Sequence, residues 1–399
     1  MHRQDARPSL LVGLSAATIF MVLTASFMIG PLLVELSEEF NTSIAVAGQL
    51  ATVTAFLWAF SGPSSGPFSD TYGRKPVVLL GLFIMALSTL GAALSTSYGM
   101  MLFFRLLTGV GGGMVPPTLM ATLGDFVPRE RRGRSIGVAQ GIASLGPVLA
   151  VPLLAVEADF LGWRSAFYTV AGGLAFLLVL LSFIFPGGSP ATTARLQFHR
   201  RILQAFGQGE PRLIVAANLL TRAGFTVVST YGAAFLMRSY GLTLGQVAVP
   251  FSIIMLGSTG GSLMGGLLAD RPRALPLAAT VVALGGWAAV ALFQLPLALW
   301  LSMVLGALFN MALQGPFPLS LKVLTELSSE SRGTMTGLIA LSNQSGVMLG
   351  AALGGLILGL GGYLGLGYLC LSASVLSGVF FLFLHLRLSR RVPRGPASP

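Results

Sequence analysis

Long uninterrupted stretches of apolar residues follow one another along almost the whole of this chain. A helix that crosses a lipid bilayer needs about 20 predominantly apolar residues. Twelve stretches qualify: 9–31, 44–68, 76–96, 99–124, 134–156, 164–185, 211–236, 244–268, 274–294, 297–323, 334–359 and 363–386. Only 9% of the 399 residues are charged, which is too few to cover the surface of a soluble protein. The sequence therefore predicts an all-α integral membrane protein with twelve transmembrane helices.

The basic residues are distributed unevenly between the two sides of these spans. Most of the 24 lysines and arginines fall near the two termini or in the connections that follow even-numbered spans. The other connections hold Arg164 and Arg238 together with several acids. Because basic connections stay in the cytoplasm during insertion, we expect both termini there, in a plasma or bacterial inner membrane. The net charge of +11 then reflects topology and contact with anionic membrane lipid, and we expect no nucleic-acid partner.

One connection is much longer than the others and divides the chain into two halves. Residues 187–210 begin with proline, glycine and serine and continue with mixed polar residues, which is typical of a linker. We expect an N-terminal half of six helices over residues 1–186 and a cytoplasmic linker over 187–210. Residues 211–399 then form a C-terminal half of six helices with a short basic tail.

The two halves repeat one another. A shift of 200 residues superposes several pairs without a gap: Gly66 and Gly266, Asp70 and Asp270, Pro116 and Pro316, Glu130 and Glu330, Arg132 and Arg332, Gly133 and Gly333, Gly137 and Gly337, Gly146 and Gly346. Since each half has an even number of spans, the two copies share one orientation. Parallel repeats of this kind surround a central cavity in some secondary transporters.

Short motifs in the first half carry a resemblance to a known family. Residues 66–75 read GPFSDTYGRK, which resembles the loop 2–3 signature of the major facilitator superfamily, G-x-x-x-D-x-x-G-R-K/R. A weaker copy, GLLADRPR, follows span 8 at residues 266–273. Residues 104–109 are similar to the family's span-4 motif, and the glycines and prolines of span 5 resemble its drug/proton antiporter branch. The chain thus resembles this twelve-span branch over nearly its whole length.

The resemblance implies a latch between the halves on the cytoplasmic side. In the family arrangement an aspartate at position 70 lies at the N-terminus of span 11, where it can accept hydrogen bonds from free N–H groups. Arg74 can pair with Asp125 at the end of span 4. We expect the latch to close when the cavity faces outward and to break when it faces inward; a turn aspartate beside topogenic basic residues is the alternative. The predicted latch residues are Asp70, Gly73, Arg74, Lys75, Asp125, Asp270 and Arg271.

Polar residues inside the spans are the candidates for substrate binding, because intramembrane charge is costly and usually functional. The candidates are Arg105, Asn218, Arg222, Asn310 and Gln314. The resemblance implies that their spans, 4, 7 and 10, line the cavity, whereas the amides could instead join neighbouring helices. Arg222 lies roughly 16 Å deep at 1.5 Å per residue. We expect it to contact an electronegative or anionic group of the substrate.

Span 5 carries residues that can bend a helix or let helices approach closely. Gly141, Gly146 and Pro147 follow at short spacing, and the Gly-Pro pair interrupts the hydrogen-bond ladder. A hinge between the halves and simple helix packing explain these residues equally well.

The sequence contains no arrangement typical of an enzyme, a metal site or a nucleotide-binding loop, so we expect none of these and no cofactor. Together with the resemblance, this predicts a secondary active transporter that works by alternating access as a monomer. We expect proton-coupled efflux of a small organic compound. No acid lies in the middle of a span, which favours a neutral or anionic substrate over a cation. A metabolite importer or facilitator and a transport-inactive membrane sensor are the alternatives.

Overall fold

The protein is described from a computed structural model, which covers residues 8–186, 209–294, 298–327 and 332–391. Within these ranges the chain is helical, apart from short turns, and contains no strand. The membrane helices are α1 (Pro8–Phe27 and Ile29–Glu39), α2 (Ile44–Ala47 and Gln49–Tyr72), α3 (Arg74–Ala93), α4 (Tyr98–Phe126), α5 (Arg129–Leu145, Gly146–Ala150 and Val151–Leu161), α6 (Trp163–Ile184), α7 (Gly209–Tyr240), α8 (Leu244–Leu268), α9 (Ala274–Gln294), α10 (Leu299–Gln314 and Pro316–Glu326) and a final segment, Arg332–Arg391.

The final segment contains two membrane helices. Its backbone leaves the helical conformation at Gly362, with φ 63° and ψ −163°. We therefore number residues 332–361 as α11 and residues 363–391 as α12. The described residues contain eleven continuous helices that are long and apolar enough to cross a membrane, and one of these is the 53-residue segment Gly337–Ser389. The prediction of an all-α protein with twelve spans is confirmed. The predicted linker lies outside the described residues except for residues 209 and 210.

The sequence repeat is also a repeat of backbone conformation. Asn41 and Gly241, 200 residues apart, have φ of 49° and 65° in the turns that follow α1 and α7. Gly162 and Gly362 have φ of 83° and 63° in the turns that follow α5 and α11. Positive φ is rare outside glycine and asparagine, so these matched turns support a parallel repeat more strongly than composition does.

Caps and close helix contacts repeat at the same offset. The side chain of Ser43 accepts a hydrogen bond from the backbone N–H of Val46 at the start of α2, and Thr243 accepts one from Gln246 at the start of α8. A Cβ on Gly146 would lie 2.9 Å from the backbone oxygen of Phe20 on α1, and a Cβ on Gly346 would lie 2.5 Å from the backbone oxygen of Leu219 on α7. The two halves therefore share packing as well as helix order.

The helix ends define two sides of the molecule. We call the side with Asp70, Asp125 and Asp270 the basic side, because most of the arginines and lysines lie there, and the other side the opposite side. Polar contacts between the halves, within the described ranges, lie on the opposite side or in the part of the membrane next to it. The molecule is thus joined at one side and separated at the other.

Candidate functional site

A cavity lies between the two halves, at the point where they meet inside the membrane. Its volume is about 80 Å³. Two helices of each half, α1 and α2 with α7 and α11, contribute its walls. The lining residues are Leu23, Ser26, Phe27, Ile29, Gly30, Ala51, Thr54, Ala55, Trp58, Thr226, Ser229, Thr230, Gln344 and Val347.

The polar groups of this cavity are hydroxyls and one amide. The hydroxyl of Ser26 donates to the carbonyl of Val22, and that of Thr226 donates to the carbonyl of Arg222. Hydroxyls bonded in this way keep lone pairs that can accept a hydrogen bond from a ligand. No charged residue lines the cavity in the part of the chain that the structure describes. The cavity therefore suits an amphipathic molecule with uncharged polar groups.

Close contacts between the halves close the cavity toward the opposite side. Gly30 on α1 lies against the backbone of Ser229 on α7, with no space for a side chain between them. Gly48 on α2 lies equally close to the ring of Tyr231, whose hydroxyl donates to the carbonyl of Ala351 at 2.7 Å. These glycines are needed for the approach of the helices, since any larger residue would overlap the facing half.

Three polar contacts reinforce this closure. Arg238 on α7 bonds Glu38 on α1 at 3.1 Å. The hydroxyl of Thr243 donates to Asp159 on α5 at 3.3 Å. The side chain of Gln49 donates to the carbonyl of Ala352 on α11 at 3.4 Å. The ion pair is exposed and contributes little by itself, so the glycine contacts dominate the closure.

Arg222 lies at the mouth of the cavity on the basic side. It is one helical turn below Thr226, and its Nε donates to Asn343 Oδ1 at 3.0 Å. Its guanidinium lies 4.8 Å from the ring centroid of Phe317 on α10, a cation–π arrangement. The two terminal nitrogens make no hydrogen bond to any described residue, and the side chain is only half-buried. They can therefore donate to a molecule entering from the basic side.

Arg105 lies behind the cavity wall. It is 1% exposed, and its Nη1 and Nη2 donate to the carbonyls of Ala25 and Ser26 at 2.9 and 3.4 Å. These carbonyls precede the interruption of α1 at Met28. Thr54, which lines the cavity, donates to the backbone carbonyl of Arg105. The arrangement holds α1 against α4 and α2 at the level of the cavity.

Two of the three predicted amides, Asn218 and Asn310, join helices of the C-terminal half. Asn218 donates to Ser342 and Asn343 on α11 at 2.6 and 2.7 Å. Asn310 is fully buried and donates to the carbonyl of Ile254 on α8 at 2.9 Å. Gln314 is buried at the end of the first part of α10. Substrate contact by these amides and by Arg105 stays a prediction.

The predicted latch residues of the N-terminal half form a cluster within that half. Arg74 bonds Asp70 at 2.7 Å and Asp125 on α4 at 3.2 Å, and it also contacts the hydroxyl of Ser69. Gly73 has φ 92° in the turn that brings these groups together, a conformation that favours glycine. Lys75 follows Arg74 in the first turn of α3. The cluster holds the ends of α2 and α4 together.

The C-terminal half has an equivalent cluster made of different residues. Asp270 bonds Lys322 on α10 at 2.6 Å, which holds the ends of α8 and α10 together. Arg271 is exposed in the turn between α8 and α9. No hydrogen bond or ion pair joins these two clusters within the described ranges. This agrees with a molecule that is separated on its basic side.

The predicted hinge of α5 is a local change of helix type. Residues Gly146–Ala150 form a π-helical turn that begins at Gly146 and Pro147. On one flank Gly146 packs on the backbone of α1, whereas a side chain at Gly141 would meet no atom within 4 Å. The turn thus separates a tightly packed part of α5 from a part that is free to approach another helix. A hinge role stays a prediction.

Sequence reasoning missed most of the cavity wall. It selected long polar side chains, whereas the lining is built mainly from small hydroxyl residues such as Thr54, Thr226, Ser229 and Thr230. The signal that could have found them is their position on single faces of α2 and α7. Trp58 on α2 adds an aromatic ring to the wall.

Comparison with known proteins agrees with this architecture. A family model described as Major Facilitator Superfamily matches residues 15–313 and, in a second match, residues 214–399. The solved structure of a bacterial homologue of the human lysosomal transporter Spinster superposes with a TM-score of 0.80. That match covers 99% of this chain and 100% of the other, at 19% sequence identity.

Two relatives illustrate the range of similar sequences. The uncharacterized MFS-type transporter YceJ of Bacillus subtilis is 25% identical over 344 residues, which are 86% of this chain and 87% of YceJ. Citrate exporter 1 of Aspergillus niger is 28% identical over 169 residues, which are 42% of this chain and 32% of that protein. The similarity to YceJ is thus of whole chains, and that to the citrate exporter is of one part.

Proposed function

The chain belongs to the major facilitator superfamily and is a membrane transporter rather than an enzyme, and we propose that it exports a small neutral or anionic organic compound in exchange for protons. The central cavity is closed on one side and not on the other, and this observation supports the proposal of alternating access. We take the basic side as cytoplasmic, which makes the described conformation open to the cytoplasm. In the other conformation, Asp70 meets the start of α11 and closes the basic side.

The surroundings of Arg222 support the choice of substrate class. Its terminal nitrogens have no hydrogen-bond partner among the described residues, and no described acid lines the cavity. A carboxylate or another electronegative group can accept two parallel hydrogen bonds from this guanidinium. A cation would meet like charge there and no compensating acid. The partial similarity to a citrate exporter supports an anion in the same way.

Glu35 is the residue that we propose as a proton carrier. Its Oε2 is buried on α1 without a hydrogen-bond partner among the described residues, and the charges of Glu38, Asp159 and Arg238 act on it. Protonation removes the cost of burying an unpaired charge, so such an acid can take up a proton and release it when its surroundings change. Glu35 lies where the halves meet on the opposite side, and movement of the halves alters those surroundings.

The test is substrate-dependent proton flux in proteoliposomes. The purified protein is reconstituted with a pH-sensitive dye inside the vesicles, and a panel of neutral, anionic and cationic compounds is added under an imposed pH gradient. Export coupled to protons predicts a pH change that needs both the compound and the gradient. Compound movement that survives full collapse of the gradient and potential would establish a facilitator instead. Flux driven mainly by cations would contradict the substrate class.

A further inference from the structure

A second cavity opens on the lipid-facing surface of the C-terminal half, away from the central one. It lies between the basic-side ends of α8, α9 and α10 and has a volume of about 270 Å³. Its walls are almost wholly apolar, with Met264, Leu277, Val281 and Leu319 as the larger side chains. Leu277 and Val281 are 41% and 40% exposed, so the cavity is open sideways toward the bilayer.

The N-terminal half provides an internal control, because the equivalent place is closed there. Gly81, the counterpart of Val281, lets α3 approach α4 so closely that a Cβ on it would lie 2.7 Å from Val115. Val115 is fully buried, whereas its counterpart, Gly315, has no side chain to fill the space. A bulkier residue on α9 and a smaller one on α10 thus open the cavity in one half only.

Two arginines lie directly beside the mouth of this cavity. Arg271 and Arg273 line an adjoining depression that shares Leu277 with it. Both side chains are exposed, and neither makes an ion pair with a described residue. The acid next to them, Asp270, is already bonded to Lys322. Their counterparts in the first half are Thr71 and Gly73, and the arginine of that connection, Arg74, is bonded to Asp70 and Asp125.

We propose that this place binds an anionic phospholipid, with an acyl chain in the apolar cavity and the phosphate on Arg271 and Arg273. An apolar cavity that opens into hydrocarbon is filled by the solvent of that medium, which is lipid. Basic side chains at the membrane boundary attract anionic headgroups and select them over zwitterionic ones. The apolar cavity therefore selects an acyl chain, and the two arginines select an anionic headgroup.

Photoreactive lipids test the proposal. The purified protein is reconstituted in phosphatidylcholine vesicles that contain a small fraction of phosphatidylglycerol or phosphatidylcholine with a diazirine in the same acyl chain. After illumination, labelled peptides are quantified by mass spectrometry. We expect phosphatidylglycerol to label residues 261–281 and 311–319 about tenfold more than phosphatidylcholine, an effect that two arginines near an anionic lipid can supply. Residues 61–81 should show no such preference.

Matched variants separate the site from general charge attraction. Arg271→Gln with Arg273→Gln should reduce labelling by phosphatidylglycerol to the phosphatidylcholine level. Arg131→Gln with Arg134→Gln removes the same charge from an exposed basic depression elsewhere and should leave labelling unchanged. Ala278→Phe, which fills the cavity, should reduce labelling by both lipids. Equal labelling of the parent by the two lipids, or equal loss in both double variants, would overturn the proposal.

Discussion

Arginines 105 and 222 both lie inside membrane helices, yet their surroundings differ. A charge at the centre of a bilayer costs at least about 2.5 kcal/mol, so each needs a compensating partner. Arg105 has two backbone carbonyls of α1 and no access to the cavity. Arg222 has one amide, one aromatic ring and two terminal nitrogens with no hydrogen-bond partner among the described residues. In the described conformation Arg105 therefore joins helices, whereas Arg222 is available for a ligand.

Arg222→Lys should weaken substrate binding about tenfold, because lysine keeps the charge but loses the planar pair of donors, worth about 1.5–3 kcal/mol when charged. Arg222→Ala should weaken it further. Binding of a transported compound to purified protein is the measurement, with thermal unfolding of each variant as the control. Unchanged affinity together with a lowered unfolding temperature would assign Arg222 to structure.

Arg105→Met should show the reverse pattern. The variant loses two hydrogen bonds from a charged donor, each worth about 1.5–3 kcal/mol, and leaves two carbonyls of α1 unsatisfied. We expect a lower unfolding temperature and a lower yield of folded protein, with substrate affinity within about twofold of the parent in the folded fraction. A large loss of affinity at unchanged stability would instead support the predicted place of Arg105 in the substrate site.

Glu35→Gln should uncouple transport from protons. The amide keeps the size of the side chain but cannot bind and release a proton, so compound movement should no longer respond to an imposed pH gradient. Glu157→Gln is the matched control, because Glu157 lies on the same side and already accepts a hydrogen bond from Thr169. Dye-reported proton flux is the measurement. Proton-coupled transport at the parent level in Glu35→Gln would exclude Glu35 as the proton carrier.

At the scale of helices, the position of small residues decides which surfaces can meet. On the opposite side, Gly30 and Gly48 let α1 and α2 touch α7 in the described conformation. On the basic side, Gly133, Gly137 and Gly141 lie along α5, and a Cβ placed on any of them would have no atom within 4 Å. Close approach of helix backbones needs such residues. Those of α5 are therefore available for closure in the other conformation.

Gly48→Leu and Gly137→Leu should shift the conformational equilibrium in opposite directions. Leucine at 48 overlaps Tyr231 and disfavours closure on the opposite side, whereas leucine at 137 is accommodated here and obstructs closure on the basic side. Thr226→Cys in a Cys370→Ser background places a single thiol in the cavity. The measurement is how fast this thiol reacts with impermeant reagents in inverted and in right-side-out vesicles. The same shift in both variants would contradict the assignment of the two surfaces.

At the scale of the whole molecule, two parallel halves meet along one side and enclose a cavity between them. The repeat of turns and caps explains why both halves have the same architecture, and the differences between them locate specific features. The N-terminal half joins α2 to α4 through Arg74, whereas the C-terminal half joins α8 to α10 through Lys322. Other differences, Val281 in place of Gly81 and Gly315 in place of Val115, leave a lipid-facing cavity in the C-terminal half.

We expect the basic side of the molecule to face the cytoplasm. With Cys370→Ser as background, Ser189→Cys in the linker should react only with reagent on the cytoplasmic side, and Ser97→Cys in the turn before α4 only from outside. Cys370 is buried and should react little with the reagent, and its replacement leaves the introduced cysteine as the thiol that is labelled. Impermeant maleimide on intact cells and on inverted vesicles is the measurement. Labelling of Ser189→Cys on intact cells would invert the topology.

The confirmed predictions from sequence depend on patterns within short stretches of the chain or at a constant offset along it. Twelve spans follow from apolar length, because backbone groups in a bilayer must be satisfied within one helix. The sequence alone therefore determined the number of helices, the family resemblance and the repeat, since these depend on neighbouring residues or on a constant offset. It could also place Asp70, Arg74 and Asp125 together, because the resemblance supplied their geometry.

Only the tertiary structure decided which side chains face one another across helices. Arg105 and Arg222 look alike in the sequence, but the carbonyls that receive Arg105 come from α1, about 80 residues away along the chain. The cavity wall depends on faces of four helices from both halves, and hydroxyl residues on such faces are common in any membrane helix. The lipid-facing cavity depends on the pairing of Val281 with Gly315, a packing difference that no single helix contains. Contacts between distant segments depend on how helices pack in three dimensions, and that information is not local to any stretch of sequence.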